Sequence, residues 1–350
     1  MERIKLKESF TYYLPQYHEI DENNQWWGEG FTEWVNVRNA KVLVKGQEIN
    51  YPGELGYYCL DDVSVVEKQY KIAKENSIST FCFWHYWFDD NDMLLQKVSE
   101  NILKSNIEVK FCFAWANHSW FNKTKGILLK KQKYDFNLEL YFNYLLPFFK
   151  DARYTKIDGK PVFVIYDIKS IPNFFSFKAE LNNMAIEAGF PGLFWIGEGL
   201  SNASASHYGV DFFLSTNNYL AYRSFIRDWR DKIVFKLQKI GVDIVRQHDY
   251  LDVISGINKS IKSENQMPII FPNWDSTIRH SNRGILVKNS TPKAFEKNVI
   301  DCKRILSERE YENRMLMIKS WNEWAEGNFM EPSEKYGDAY LKVFSKHFKL

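Results

Sequence analysis

The run Met315-Leu-Met-Ile-Lys-Ser-Trp-Asn-Glu-Trp-Ala-Glu-Gly327 joins an apolar strand pattern directly to two glutamates, Glu323 and Glu326. Their immediate neighbours are Trp321, Asn322 and Trp324. A carboxyl group packed on apolar surface tends to keep its proton near neutral pH, whereas a better solvated neighbour stays ionised. Making or breaking a glycosidic bond requires that division between an acid and a base.

Short β-branched and aromatic runs recur along the whole chain, with helical patterns between most of them. Several runs are apolar without alternation, which indicates strands covered on both faces of a parallel sheet. Eight strands are predicted, at Phe10–Leu14, Thr80–Trp87, Lys110–Ala116, Pro161–Asp167, Leu193–Gly197, Asp211–Thr216, Ile269–Pro272 and Leu316–Trp321. Helices are predicted at about 62–76, from about Asn91 onwards, at 138–150, 176–188, 293–308 and 338–348, with a short one in 201–209.

Eight strands, seven connections and a closing helix predict an α/β fold, a single (β/α)8 TIM-type barrel. A doubly wound open sheet is the alternative. Two connections, after strands 1 and 6, are long: His18–Leu60, and Asn218–Met267 with extra helices expected near 225–240 and 249–263. Loops of that length in a compact domain are usually functional. No linker or repeat divides the chain, so one domain over residues 1–350 is expected.

The composition excludes several classes of function. The formal net charge is +2, and the 46 basic residues are spread along the chain, so there is no electrostatic signature of nucleic acid or of an acidic membrane surface as partner. Four cysteines without CxxC spacing indicate reduced core thiols. The charged N-terminus and the lack of an uncharged run of roughly 20 residues predict no integral membrane segment and a cytoplasmic location.

Polar and aromatic residues gather where the predicted strands end, which is where barrel enzymes carry their chemistry. They are Tyr13, Gln16, His18, His85, Tyr86, Trp87, Trp115, Asn117, His118, Trp120, Tyr166, Asp167, Glu198, Thr216, Asn217, Asn273, Trp274, Asp275, Asn322, Glu323 and Glu326. Flat apolar faces and hydrogen-bonding tips together suit a hydroxyl-rich ligand. We expect Trp87, Trp115 and Trp274 to line one cleft and to stack on sugars.

Several of these residues also have a purely structural interpretation. His85 fits a core histidine equally well, Asp167 fits a helix cap, and the Trp26-Trp27 pair fits an anchor for a long loop. Glu323 and Glu326 differ, because glutamate is almost never fully buried unless it is paired or functional. No dinucleotide, phosphate-loop, GxSxG or HExxH motif is present, so no cofactor is predicted. His85, His118 and Asp275 have no metal-binding spacing, and no metal is predicted.

Six ordered motifs resemble the WbsX-type glycosyltransferases, whose domain is similar to glycoside hydrolase family 99, the endo-α-mannosidase family. They are Tyr13-Leu-Pro-Gln-Tyr-His18, Trp26-Trp-Gly-Glu-Gly-Phe-Thr-Glu-Trp34, Phe83-Trp-His-Tyr-Trp-Phe88, Asp158-Gly-Lys-Pro161, Pro272-Asn-Trp-Asp275 and Trp321-Asn-Glu-Trp-Ala-Glu-Gly327. The resemblance spans nearly the whole chain. It implies a (β/α)8 barrel and a role in bacterial O-antigen or capsular polysaccharide synthesis.

The resemblance also implies roles for the two glutamates. Glu323 would be the base that acts on the sugar 2-hydroxyl to give a 1,2-anhydro intermediate, and Glu326 would protonate the leaving oxygen. A well-placed 2-hydroxyl needs only such a base and acid. Strand ends and motifs together predict the substrate-binding residues Tyr13, His18, Trp27, Trp34, His85, Tyr86, Trp87, Trp115, Asn117, Tyr166, Trp274, Asp275, Arg279, Trp321, Asn322 and Trp324.

One stretch departs from the family pattern. Relatives commonly read Trp-Ala-Asn-Glu-Asn-Trp followed by an Arg-rich stretch, whereas this chain has Trp115-Ala-Asn-His-Ser-Trp120 and then Phe121-Asn-Lys-Thr-Lys125. His118 therefore replaces a carboxylate, and the choice of glycan or donor is expected to differ.

The sequence is compatible with three functions. A glycosyltransferase of surface polysaccharide synthesis is favoured, with a glycan or glycosyl donor and acceptor as its partners. An endo-acting glycosidase could use the same pair of glutamates with water. A non-catalytic glycan-binding barrel is the third, although it has no need for two such carboxylates. Only Arg279 and the 218–267 connection hint at a diphosphate site for a nucleotide sugar.

Overall fold

The computed structural model describes residues 2–122, 126–215, 225–258 and 261–350. Eight parallel strands form the main path of its largest sheet. They are β1 Glu8–Tyr13, β2 Thr80–Asp89, β3 Phe111–Trp115, β4 Lys160–Ile165, β5 Phe194–Gly197, β6 Phe212–Phe213, β7 Ile269–Ile270 and β8 Met315–Ile318. Their order in the sheet is β6-β5-β4-β3-β2-β1-β8-β7. The predicted α/β class with eight parallel strands is confirmed.

Main-chain hydrogen bonds connect the two edges of this sheet. The Phe213 N–H in β6 donates to the carbonyl of Asn265 at 3.0 Å, and the Met267 N–H donates to the carbonyl of Phe213 at 2.8 Å. The sheet therefore curls until β6 meets the segment that leads into β7, as in TIM-type barrels. Thr216, the predicted end of the sixth strand, lies outside the described residues.

Helices follow most of the strands. Their bounds are α1 Asp21–Trp27, α2 Glu33–Arg38, α3 Val63–Glu75, α4 Lys97–Lys104, α5 Leu138–Lys150, α6 Phe174–Glu187, α7 Asn202–Tyr208, α8 Phe225–Lys239, α9 Tyr250–Asn258, α10 Thr277–His280, α11 Pro292–Ser307 and α12 Ala339–His347. α3 begins where the Asp62 carboxylate accepts the N–H of Ser64 at 2.9 Å, an N-terminal cap. Its buried residues Val66, Tyr70 and Ala73 are those that the helical spacing predicts.

One predicted helix begins later than expected. The apolar spacing places its start near Asn91, but residues Asp92–Leu94 form a strand that pairs antiparallel with the end of β2. Asn91 and Leu95 have φ angles of 54° and 61°, so the chain turns at both positions. The helix itself starts only at Lys97. The local turn chemistry therefore overrides the helical spacing.

The two predicted long connections contain further elements. α1 and α2 lie between β1 and α3. α8, the short strand Arg246–Asp249 and α9 lie between β6 and β7, where residues 216–224 and 259–260 are not described. Over the ranges that the structure does describe, none of the helices combines the length and the apolar character that crossing a bilayer requires.

Candidate active site

Alternation of side chains along β2 decides which residues reach the mouth of the curled sheet. Trp84 and Tyr86 line a cleft at the carboxyl ends of the strands, whereas the intervening His85 stacks on Tyr141 of α5 at 5.7 Å between ring centroids. Trp87 lies 4.7 Å from the same Tyr141 ring. Successive residues of a strand point to opposite faces, so two neighbours in this motif cannot both reach the cleft.

The cleft has a volume of about 470 Å³. Aromatic rings form much of its wall, and they are Tyr12, Trp27, Phe31, Trp84, Tyr86, Trp120, Phe121, Tyr166 and Trp274. Polar groups project between these rings, among them His118 and Lys319. A concave surface of mixed aromatic and polar character of this size is typical of a small-molecule site.

Glu323 and Glu326 line the same cleft, and a tight hairpin positions them. Asn322–Glu323 pairs antiparallel with Asn328–Phe329, and a single 3₁₀ turn lies between the two short strands. Gly327 ends that turn with a φ angle of 54°, and a Cβ atom there would stand 2.8 Å from the Cβ of Asp275. Only glycine fits this position. Gly327 therefore allows the tight turn that directs Glu326 into the cleft.

Arg279, the third residue of the short helix α10, contacts three carboxylates. Its Nη2 atom lies 3.0 Å from Oε2 of Glu33 and 3.5 Å from Oε2 of Glu323, and its Nη1 atom forms an ion pair with Glu326. Glu33 belongs to α2 and is buried. One guanidinium therefore holds both predicted catalytic glutamates and a third carboxylate that the sequence analysis did not select.

The surroundings of Glu323 raise its pKa to about 7. Burial is the main cause, because it disfavours the charged form, and the nearby Glu326 acts in the same direction. The charge of Arg279 and a hydrogen bond from Nε1 of Trp84 to Oε1 of Glu323, 3.0 Å long, act in the opposite direction. Glu323 therefore exchanges a proton readily near neutral pH.

A buried ion pair lies beside the cleft, on the residue that follows β8. Nζ of Lys319 contacts Oε1 of Glu198, and the hydroxyl of Tyr12 donates to the other oxygen of Glu198. Tyr12 in turn stacks on Trp84, with ring centroids 4.3 Å apart and an interplanar angle of 8°. This arrangement fixes the indole ring of Trp84, whose N–H donates to Glu323. Glu198 lies at a predicted strand end, whereas Tyr12, Trp84 and Lys319 are cleft residues that the sequence did not predict.

Several predicted site residues do line the cleft. Besides the two glutamates, they are Gln16, Trp27, Tyr86, His118, Trp120, Tyr166, Trp274 and Arg279. His118, which replaces the carboxylate of relatives, lies with its ring centroid 5.2 Å from that of Tyr166. These positions agree with the expected gathering at the strand ends, and their contact with a substrate stays a prediction.

The predicted placement of Trp87 and Trp115 in the cleft is wrong. Trp115 stacks on Phe177 of α6 at 5.6 Å, and its Nε1 donates to the carbonyl of Trp87 at 3.0 Å. Both indoles fill the layer between the sheet and the outer helices, as His85 does. Burial there lowers the pKa of His85 to about 3, so its ring stays neutral. The structural interpretation of His85 is the one that fits.

Other predicted residues do not line the cleft. Their side chains form hydrogen bonds within the protein, outside the cleft wall. Tyr13 donates to Oε1 of Gln69 in α3 at 2.6 Å, and Nε1 of Trp34 donates to the carbonyl of Tyr58 at 2.7 Å. The Asn117 amide bonds both main-chain groups of Asp167 and so ties the end of β3 to the end of β4. These contacts place the three residues outside the cleft wall.

The hairpin that carries the glutamates has its own supports. The Asn322 side chain accepts the Leu14 N–H at 2.7 Å and donates to the Leu14 carbonyl at 3.0 Å, which joins the hairpin to the loop after β1. Trp324 stacks on Phe329 with ring centroids 3.8 Å apart. Trp321 is fully buried against Phe81. None of these three predicted residues lines the cleft.

Asp275 and His18 also lie away from the cleft wall. Both oxygens of Asp275 are occupied, by Nε2 of Gln47 at 2.7 Å and by the main chain and hydroxyl of Thr277. Burial raises the pKa of Asp275 and lowers that of His18. Because His85 faces the helix layer, it does not converge with His118 and Asp275. Across the described part of the chain, no group of three or more His, Cys, Asp and Glu residues could hold a metal ion.

Comparison with known proteins agrees with the motifs. A profile of the family described as Glycosyltransferase WbsX matches residues 9–344. The chain belongs to this family, and the resemblance seen in the six motifs is confirmed. It is 25% identical over 351 residues to the uncharacterized protein WxcX of Xanthomonas campestris pv. campestris strain B100. That match covers 95% of this chain and 48% of WxcX, so the chain spans about half the length of this relative.

Solved structures show the same fold at low sequence identity. A glycoside hydrolase-like protein superposes with a TM-score of 0.64 at 16% identity, covering 100% of this chain and 96% of the other. The GH99 endo-alpha-mannosidase from Bacteroides thetaiotaomicron superposes with a TM-score of 0.55 at 16% identity, covering 98% and 96%. The curled parallel sheet of this chain is therefore like that of the GH99 barrels.

Proposed function

We propose that this protein is a glycosyltransferase of bacterial surface polysaccharide synthesis, acting on an O-antigen or capsular glycan. Membership in the WbsX family supports the reaction class. One observation of the structure carries the proposal: Glu323 and Glu326 share the guanidinium of Arg279 inside a cleft walled by aromatic rings. Such rings stack on sugar faces, and the paired carboxylates supply proton transfer at the glycosidic bond.

Glu323 acts as the base in this proposal. A pKa of about 7 leaves the carboxylate roughly half ionised at neutral pH, which suits a group that must first accept a proton and later return it. Glu323 removes the proton of the sugar 2-hydroxyl, and the freed oxygen attacks the anomeric carbon. The bond from that carbon to the leaving oxygen breaks as the new carbon–oxygen bond forms, which gives a 1,2-anhydro sugar.

Glu326 acts as the acid and protonates the leaving oxygen. Glu326 forms an ion pair with Arg279, so this role requires the guanidinium to move away when the glycan binds. Glu33 provides the alternative partner, because it already lies 3.0 Å from Nη2 of the same arginine. In the second half-reaction Glu326 takes the proton of an acceptor hydroxyl, which opens the anhydro ring, and Glu323 returns its proton to the 2-oxygen.

The stereochemistry of the product tests this route. Two inversions at the anomeric carbon retain its configuration, so an NMR time course on a competent glycosyl donor is expected to show a retained product. The 2-deoxy donor is expected to bind and not to react. An inverted product, or unimpaired turnover of the 2-deoxy donor, contradicts the assigned roles. Release of free sugar in the presence of a competent acceptor identifies a hydrolase instead, and binding without any turnover identifies a glycan-binding barrel.

A further inference from the structure

Helix α8 exposes an apolar stripe on the face that points away from the protein. Its buried residues, Asp231 and Val234, fall on one side of the helix. Trp229 and Ile233 fall on the opposite side, at the i, i+4 spacing of a single helical face, and are 62% and 37% exposed. Ile240, which directly follows the last helical residue, is 77% exposed and extends this apolar stripe. Burial inside this protein therefore does not account for the stripe.

Further apolar and basic side chains flank the stripe. Phe235 and Val242 are 49% and 41% exposed, and Lys239 holds its ammonium group 4.8 Å from the centre of the Phe235 ring. Arg230 and Lys236 are also exposed. Between Trp229 and Lys239, the part of α8 whose side chains the structure describes, the one acidic residue faces the protein, where Asp231 Oδ2 lies 3.2 Å from Nε2 of His248. Over these residues the outer face of α8 is therefore apolar and basic.

The inner face of α8 packs beside the cleft. The Gln238 side chain donates to the carbonyl of Asn282 at 2.6 Å and to that of Ile244 at 2.8 Å. Asn282 follows closely after Arg279 and His280, which line the cleft. A surface that binds the outer face of α8 would therefore lie near the residues that hold the catalytic glutamates.

We propose that the outer face of α8 docks on an anionic lipid surface. A Trp–Ile stripe bordered by lysine and arginine is the pattern of helices that lie in the membrane interface, with the apolar side chains in the acyl region and the cations at anionic headgroups. A protein partner is less well matched, because the cores of protein interfaces are depleted of lysine. The formal net charge of the whole chain, +2, does not reveal this local cluster of basic side chains.

Cosedimentation with vesicles tests the proposal. The whole chain is expected to bind vesicles of equal parts phosphatidylcholine and phosphatidylglycerol, and to bind much less to phosphatidylcholine alone. Replacing Trp229, Ile233 and Ile240 together by serine is expected to reduce binding at least about tenfold, because three apolar side chains no longer enter the bilayer. Lys236→Gln and Lys239→Gln are each expected to reduce it about fivefold at low salt.

Matched controls keep the test specific. Phe175, Ile186 and Ile300 are similarly exposed on α6 and α11, and their triple replacement by serine is expected to leave binding unchanged. Lys293→Gln and Lys297→Gln on α11 make the same change in net charge. Equal loss in these controls, or equal binding to neutral vesicles, overturns the proposal. A dimer in solution that the α8 triple variant converts to monomer also overturns it, since the stripe would then join two copies of the chain.

The proposal does not depend on the reaction. Vesicle binding needs no glycan, so a failure of the proposed function leaves this experiment unaffected.

Discussion

Two glutamates of the C-terminal segment, Glu323 and Glu331, have the same raised pKa in different surroundings. Both have a pKa of about 7, and burial is the main cause for each. Glu323 lines the cleft beside Glu326 and Arg279. Glu331 is enclosed by Tyr58, Gln69 and Trp324, all of which donate hydrogen bonds to it.

The difference shows that a raised pKa alone does not identify a catalytic group. Gln69 occupies one oxygen of Glu331 at 2.6 Å, and Tyr58 and Trp324 share the other at 3.0 and 2.5 Å. No direction remains from which a substrate could reach that carboxylate. Glu323 combines the same proton affinity with access to a cleft and with a second carboxylate nearby, and this combination makes it a candidate for proton transfer.

The largest expected effect is on turnover. Glu323→Gln and Glu326→Gln should each fold as the wild type does and lose about 10²- to 10⁴-fold in activity, because the amide keeps the shape and cannot transfer the proton. Circular dichroism and thermal unfolding establish the fold, and initial rates on an accepted donor establish the activity. Glu310→Gln, at an exposed position, is the control. Wild-type rates in both folded variants would show that the glutamates in the cleft are no more catalytic than the enclosed Glu331.

The fold was accessible from sequence because burial on both faces leaves a continuous apolar run for most strands. All five residues of β3 are buried, for example, and their run was recognised without alternation. The same property made the site hard to predict. In a strand whose residues are nearly all apolar or aromatic, nothing in the sequence distinguishes inward from outward positions. The sequence therefore predicts Trp87 in the cleft, whereas the structure places Trp84 there.

The contacts of Arg279 and Glu331 could not be predicted for another reason. Glu33 reaches Arg279 across 246 positions of the chain, and Gln69 reaches Glu331 across 262. Neither pair has a local spacing: the first joins α2 to α10, and the second joins α3 to the segment that follows the C-terminal hairpin. The two catalytic candidates were predictable because they lie only three positions apart in the sequence, just after a recognisable strand.

The next largest effect should be on stability, at the enclosed glutamate. In Glu331→Gln, an amide NH₂ replaces one of the two oxygens that accept hydrogen bonds from Tyr58, Gln69 and Trp324. At least one of these buried donors then loses its acceptor, which should lower the free energy of unfolding by about 1 to 3 kcal/mol. Chemical denaturation measures this loss. The activity of the folded fraction is expected to stay within a few-fold of wild type, since neither Glu331 nor any of the three residues that donate hydrogen bonds to it lines the cleft. A catalytic loss as large as that of Glu323→Gln, without loss of stability, would show that the two carboxylates act together.

The smallest effect should be on the pH dependence of the reaction, through Trp84. Glu323 must be ionised to act as a base, so kcat/KM is expected to rise with pH through about 7. The hydrogen bond from Trp84 stabilises the ionised form, and Trp84→Phe removes it. The pKa of Glu323 should then rise, and the acidic limb of the profile should move to higher pH by about one unit. Trp87→Phe is the matched control, because that indole faces the helix layer, and its limb should stay in place. A wild-type kcat/KM that falls as pH rises through 7 would instead assign the acid role to Glu323 and the base role to Glu326.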